Sequence, residues 1–189
     1  MIERLGIVSG RQLLDVAGGT GSITRELRRR GAAVVSLDQS REMLARASAR
    51  GAVAVVASGE RLPFPDASFD GVTAGYLLRY VEHVPLALVE LSRVLRSGGV
   101  VGLVEFGRPG GGWRQPWRFY TRVVLPLAGA MLGAAWRQVT NFLGPSIERF
   151  ADIWPSSRLA SAFTQAGFVE VELTTMSLGG GLVITARKP

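Results

Sequence analysis

A chain of 189 residues is long enough for one domain with a full core, and no composition shift marks a second. It has no cysteine and a single histidine, His83, which excludes a disulfide framework, a cysteine-based metal site and a multi-histidine zinc site. The formal charge of +7 is carried almost wholly by arginine, Lys188 being the one lysine; it fits arginines spread over solvated faces or an anionic membrane surface, whereas nucleic acid lacks a dense basic run with interleaved aromatics. The opening MIERLGIVSG has no apolar signal-peptide core, so the cytoplasm is the expected compartment.

The first periodic stretch is LLDVAGGTGS. Leu13–Val16 reads as a strand that carries Asp15 and breaks into a turn at Gly18, Gly19 and Gly21, where the missing Cβ atoms allow a sharp bend and a close ligand. Ser22 is placed to cap a helix over Ser22–Arg30. A pyrophosphate-binding turn needs G-x-G-x-x-G, and counting from Gly19 the pattern gives Gly21 and then Thr24, so that fingerprint fails at its last position. The next strand, Val34–Leu37, closes on Asp38, a carboxylate able to accept both ribose hydroxyls. The two features point to an adenosine held without a diphosphate, which S-adenosylmethionine offers.

Further along, Gln39-Ser40-Arg41-Glu42-Met43 reads as an N-cap and the start of a helix over Ser40–Ala49, and the unbroken apolar run Val53–Ala57 as a strand buried on both faces. Two prolines make 62–70 an extended loop, anchored by Phe64 and Phe69. Phe69–Ala74 is the fourth strand, and the loop Gly75–Tyr80 leaves its carboxyl end, where open α/β sheets bind ligands. Val84–Leu95 is a helix with Leu86, Val89, Leu91 and Val94 on its apolar side, stopped by Ser97-Gly98-Gly99, and Val100–Phe106 is the fifth strand. After a glycine-rich joint come Trp113, Trp117, Phe119, Tyr120 and a run, Val123–Trp136, without a polar side chain. That run is too short to span a bilayer and reads as a lid helix pair over the sheet's carboxyl edge, with shallow membrane contact compatible, or as a packing helix without a ligand. A helix over Arg158–Ala166 ending at Gly167, a strand over Val169–Thr175, the glycine triplet 179–181 and a strand over Leu182–Arg187 complete the chain. The expected fold is α/β: one domain over 1–189, a mostly parallel seven-stranded sheet with an antiparallel edge strand, and a helical lid insertion at 107–150 between strands five and six.

This order of motifs resembles the class I S-adenosylmethionine-dependent methyltransferases, with their Rossmann-like fold, and within them the UbiE/MenG type, the C-methyltransferases of ubiquinone and menaquinone biosynthesis. The residues that carry the resemblance are LLDVAGGTGS, SLDQSREML, ERLPFPDASFD, LLRYVEHV, ELSRVLRSGGVVGLVEF, FYTRVVLPLAG, SIERF, AFTQAGFVEVE and GGGLVITARKP. It implies that Thr20 and its glycines hold the methionine end of the cofactor, Asp38 the ribose, and Ser58 and Gly59 the adenine, with Glu60 as a substitute there. Gly75 becomes a cofactor contact after the fourth strand, and Arg79 faces the substrate ring. The cofactor set is then Asp15, Gly18, Gly19, Thr20, Gly21, Asp38, Gln39, Met43, Ser58, Gly59, Glu60 and Gly75; the substrate set is Tyr76, Arg79, Tyr80, Phe119 and Tyr120.

Methyl transfer from a sulfonium is an in-line displacement in which a positive charge disappears, so the leaving group needs no acid. Arg79 is expected to stabilise a phenolate on the acceptor, with a water or His83 taking the ring proton; His83, near a helix start, also reads as a capping or surface residue. The expected activity is C-methylation of a prenylated quinol. Tyr80, standing where the family has Asn, leaves open another small molecule or a phospholipid headgroup amine, and Ser58 leaves open a cofactor-binding protein without catalysis.

Overall fold

The computed structural model describes residues 9–48 and 53–189; Ala49, the expected end of the second helix, lies outside them, as does most of the opening segment. The strands are β1 (Gln12–Val16), β2 (Ala33–Asp38), β3 (Val53–Val56), β4 (Phe69–Gly75), β5 (Leu95–Phe106), β6 (Val169–Met176) and β7 (Gly181–Arg187). They form one sheet in the order β3-β2-β1-β4-β5-β7-β6. From β3 to β5 every pairing is parallel, while β7 runs antiparallel to both β5 and β6. The antiparallel edge is therefore present, with the reversed strand lying one place inside it.

The chain winds outward from β1 to β3, then returns to start β4 on β1's other side. That puts a topological switch between β1 and β4, where the carboxyl ends of open α/β sheets leave a crevice. Helices α1 (Ser22–Arg29), α2 (Arg41–Ser48), α3 (Val84–Val94) and α7 (Ser156–Gln165) accompany the strands. The core lies where β1, β4 and β5 meet α3 and α7, around Leu14, Val16, Val72, Leu88, Leu91, Leu103 and Phe163.

Four local expectations change. Helix α1 starts after Gly21, which sits in the left-handed region at φ 80°, and Ser22 is its first residue rather than its cap. Strand β3 is a sheet edge with one neighbouring strand, so Val53 and Val56 are exposed despite the apolar run. On α3 the buried stripe is Val84, Ala87, Leu88, Leu91 and Val94, the helical repeat that turns Leu86 and Val89 to the opposite, exposed side. That helix passes straight into β5 at Leu95, which is already extended, so Ser97, Gly98 and Gly99 belong to the strand. The loop at 62–70 matches its reading: Phe64 and Phe69 meet edge to face at 5.0 Å, and Arg93 donates to the carbonyls of Leu62 and Phe64.

Between β5 and β6 the chain forms α4 (Arg114–Phe119), a π-helical turn at Tyr120–Val124, α5 (Leu125–Leu132) and, after Gly133, α6 (Ala134–Ile153). Gly133 at φ 119° breaks the apolar run into a hairpin. The hairpin closes tightly on small residues: a Cβ at Gly129 would collide with Thr140, and one at Gly144 would sit 3.0 Å from Thr121. Much of the inner face of the pair is spent on this contact; the insertion meets the body through Ile147 and Phe150, buried on α6, and through Trp117, whose ring lies beside Gly180. None of the helices among the described residues is long and apolar enough to cross a membrane.

Candidate active site

Under the glycine turn lies a buried polar row. Asp15 on β1 is in register with Ser36 on β2 and Thr73 on β4, and all three are buried. The Asp15 carboxylate accepts from Thr24 N–H at 3.0 Å, Thr24 Oγ1–H at 2.6 Å and Thr73 Oγ1–H at 2.9 Å, which ties the first turn of α1 to the sheet. Burial pushes its pKa up to about 6 against those three hydrogen bonds, and the charge of Asp38 adds to the rise. Asp15 is thus turned inward to hold the turn, and it does not line the cavity above. A side chain at Gly18 would collide with Ser36, so packing beneath the turn leaves no room for one there.

Asp38, at the end of β2, accepts Gly19 N–H on Oδ2 and Ser40 N–H on Oδ1, each at 2.9 Å. It fixes the glycine turn to the start of α2, and a carboxylate with four acceptor positions keeps two for other donors. The turn, β2's end and the loops after β3 and β4 enclose a cavity of about 430 Å³, a volume suited to a small organic ligand. It is lined by Gly19, Asp38, Gln39, Met43, Ser58, Gly59, Glu60 and Gly75 from the cofactor set and by Tyr76 and Tyr80 from the substrate set. Thr20 and Gly21 sit in the turn beside it and are not part of its wall. A Cβ at Gly59 would stand 2.7 Å from the end of the Leu77 side chain, so Gly59 lies close against the loop after β4.

A second, larger cavity of about 760 Å³ lies between the loop after β4 and the second half of α6. Its walls are largely apolar, including Leu78, Phe142, Pro145, Phe150 and Trp154, with Arg79, Arg149 and Glu82 as charged groups. The two cavities share Val81, and the adjacent pair Arg79 and Tyr80 separates them. The Arg79 guanidinium lies 4.8 Å from the Tyr80 ring, 4.9 Å from Phe106 and 5.9 Å from Tyr76. It donates to Ser146 Oγ on α6 at 2.9 Å and to Tyr80 Oη at 3.2 Å, while its buried Nε–H has no acceptor among the described residues. Tyr76 stacks on Phe106 at 4.4 Å in a left-handed conformation, φ 61°, the kind of strain that persists where surrounding structure over-determines it.

The remaining candidates fall elsewhere. His83 caps α3 with its backbone N–H bonded to Glu60 Oε1 at 2.6 Å; its imidazole is 67% exposed and lines neither cavity, which fits the surface reading and not the base. Phe119 and Tyr120 are exposed on the helical insertion and line neither cavity. Sequence reasoning missed Glu82, Ser146, Arg149 and Glu105. Glu105 had a readable signal: it is the one charged residue in the apolar run VVGLVEF, next to its last position.

The comparisons with known proteins decide the family. The model of the ubiE/COQ5 methyltransferase family matches residues 1–188. The chain belongs to the ubiE/COQ5 methyltransferase family. A demethylmenaquinone methyltransferase of Tropheryma whipplei is 33% identical over 182 residues, 94% of this chain and 74% of the relative. The ubiquinone/menaquinone biosynthesis C-methyltransferase UbiE of Pseudomonas paraeruginosa is 34% identical over 98% of this chain and 75% of its own length. The solved structure of a SAM-dependent methyltransferase from Aquifex aeolicus superposes with a TM-score of 0.68 at 16% identity, covering 98% of this chain and 86% of that one. This ubiE/COQ5 methyltransferase thus has the Rossmann-like class I fold, and it is an enzyme of methyl transfer.

In this methyltransferase Glu105 is a buried carboxyl at the back of the Arg79 loop. Its Oε1 accepts Leu78 N–H at 2.7 Å, and its Oε2 is buried without a partner among the described residues. Burial pushes the pKa up to about 7, against the Leu78 N–H and the charge of Arg79. An acid with a raised folded pKa binds more protons folded than unfolded, so stability falls as pH rises from about 4.5 to 7 and the loss is complete above that. Glu105→Gln keeps the acceptor for Leu78 and removes the titration. Urea unfolding of both proteins at pH 4.5 and pH 8 should show the variant gaining about 3 kcal/mol relative to wild type on going to the higher pH.

Proposed function

We propose that this enzyme transfers the methyl group of S-adenosylmethionine to a ring carbon of a prenylated quinol, a reading supported by its relatives, a demethylmenaquinone methyltransferase and a ubiquinone/menaquinone biosynthesis C-methyltransferase. The observation that carries the reading is the pair of cavities meeting at Arg79: a small one beneath which Asp38 anchors the glycine turn, and a large apolar one holding two guanidinium groups. Gly19, Asp38, Gln39, Met43, Ser58 and Gly59 would hold the adenosine, and the bound cofactor supplies an electrophilic methyl on a sulfonium. The chain's own residues supply alignment, a dry site and charge. The caged Arg79 faces an acceptor oxygen with donors already oriented, and in a low-dielectric wall this favours a phenolate, which makes the adjacent ring carbon nucleophilic. Glu82 is the carboxylate in the larger cavity's lining and the candidate to take the proton that the ring carbon loses. The apolar walls suit a prenyl tail, which an amine headgroup does not need.

Purified enzyme incubated with S-adenosylmethionine and detergent-dispersed demethylmenaquinol should yield a product heavier by one CH₂ unit, with the new methyl on the ring. A product only from phosphoethanolamine, or none with any quinol, would reject the substrate class. Failure to bind the cofactor in calorimetry would reject the reading altogether.

A further inference from the structure

The helical insertion carries large apolar side chains that no part of the described chain covers. At the tip of the α5–α6 hairpin, Leu127 is 63% exposed, Met131 89% and Leu132 69%, and Trp136 follows at 57%. The same exposure continues along α6 at three-residue steps through Val139 to Phe142, which enters the wall of the larger cavity and stacks near Tyr80 at 6.5 Å. An apolar track thus runs from the projecting tip to the candidate acceptor site.

The insertion carries an excess of positive charge, and the charged residue nearest the tip is Arg137. From residue 107 to 153 the chain has six arginines against two carboxylates, Glu148 and Asp152. Glu148 is taken by Arg118 and Arg122, and Asp152 by Arg108. Among the described residues Arg137, exposed and next to Trp136, has no carboxylate partner, whereas Arg114 lies at the other end of the hairpin within reach of the Asp152 charge. A second copy docking by this face would bring like charges together, whereas an anionic lipid surface complements them and accepts the apolar tip. Tryptophan beside arginine is also the composition that settles at the headgroup level.

We propose that the tip of the α5–α6 hairpin docks on a bilayer containing anionic lipid, with Leu127, Met131, Leu132 and Trp136 entering the interface. The track to Phe142 then joins the bilayer to the larger cavity, so that a lipid-soluble acceptor reaches Arg79 without crossing water. Docking is independent of the methyl-transfer reading, since it needs neither cofactor nor acceptor.

The test is sedimentation of the purified full chain with vesicles of phosphatidylcholine alone or with about a third phosphatidylglycerol. Wild type should sediment with the anionic vesicles and release as salt is raised. Met131→Asp/Leu132→Asp alters only exposed positions, so its circular dichroism and melting should match wild type while its partitioning falls at least about tenfold. Arg137→Glu should weaken the preference for anionic over neutral vesicles. Sedimentation unchanged by Met131→Asp/Leu132→Asp or by Arg137→Glu, or equal on neutral vesicles, overturns the proposal. So does a dimer in ultracentrifugation that Met131→Asp/Leu132→Asp abolishes without any vesicle binding by wild type.

Discussion

Arg79→Ala is expected to lower turnover by about a hundredfold or more while leaving the affinity for S-adenosylmethionine within about threefold. The split follows from where the side chain sits. Arg79 forms part of the larger cavity's wall and not of the smaller one's, so the cofactor should barely register its loss. Its guanidinium is held by Ser146 and Tyr80 and surrounded by three aromatic rings, which fixes its donors before any acceptor arrives. A charge preorganised in this way acts on the anion that develops during reaction, and removing it costs rate rather than cofactor binding. A merely structural arginine would give another signature, because losing the Ser146 bond to α6 would lower the melting temperature and leave the pH profile in place. The assignment to phenolate stabilisation requires the optimum of the variant to move to higher pH, where the acceptor ionises without help. Arg79→Lys tests the fork geometry: a point charge restores part of the rate but cannot bond both Ser146 and Tyr80 as the planar group does. Steady-state kinetics across pH, with calorimetry for the cofactor, would measure all of this. Unchanged turnover in Arg79→Ala would remove the residue from the mechanism.

Much of the fold is written in local patterns that physics leaves little room to misread. Apolar runs closed by Gly18, Asp38, Gly75 and Phe106 are strands leading to the same sheet edge, and helical patterns between them force parallel crossovers. What local pattern cannot carry is position in the sheet. Val53–Val56 has the composition of a central strand, yet it forms the edge, because the identity of its missing neighbour is decided by the whole topology. Exposure on the insertion was hidden for a similar reason: fourteen apolar residues look like a buried run, and only the contact of Gly129 with Thr140 shows that the hairpin packs on itself. The candidate site divides the same way. The cradle from Gly19 to Gly59 is contiguous with strand ends and was legible, whereas Ser146 reaches Arg79 from 67 residues away and Arg149 shares its cavity, both needing the fold to bring them there. Glu105 was visible as a lone carboxylate near the end of an apolar strand, but its spacing matched no motif that marks a site.

Asp38→Ala is expected to weaken S-adenosylmethionine about a hundredfold while turnover at saturating cofactor stays within a few-fold of wild type. Two losses combine in that figure. The carboxylate that would accept the ribose hydroxyls disappears, and the N–H groups of Gly19 and Ser40 lose their acceptor, which frees the turn that shapes the cavity floor. Asp38→Asn separates them. Its amide oxygen can keep one backbone N–H, but the NH₂ group cannot accept from the other, nor from a hydroxyl. If direct contact with the sugar dominates, the Asn variant should bind nearly as poorly as Ala while melting closer to wild type. If the loosened turn dominates, affinity and melting temperature should recover together. S-Adenosylhomocysteine should follow S-adenosylmethionine in every variant, because the ribose is common to both and the methyl is remote from Asp38. Parallel loss for the two ligands, with turnover intact once the site is filled, is the reverse of the Arg79 pattern. A protein that used the small cavity for the acceptor and the large one for the cofactor would exchange the two signatures, so the pair of variants also tests which cavity holds which ligand.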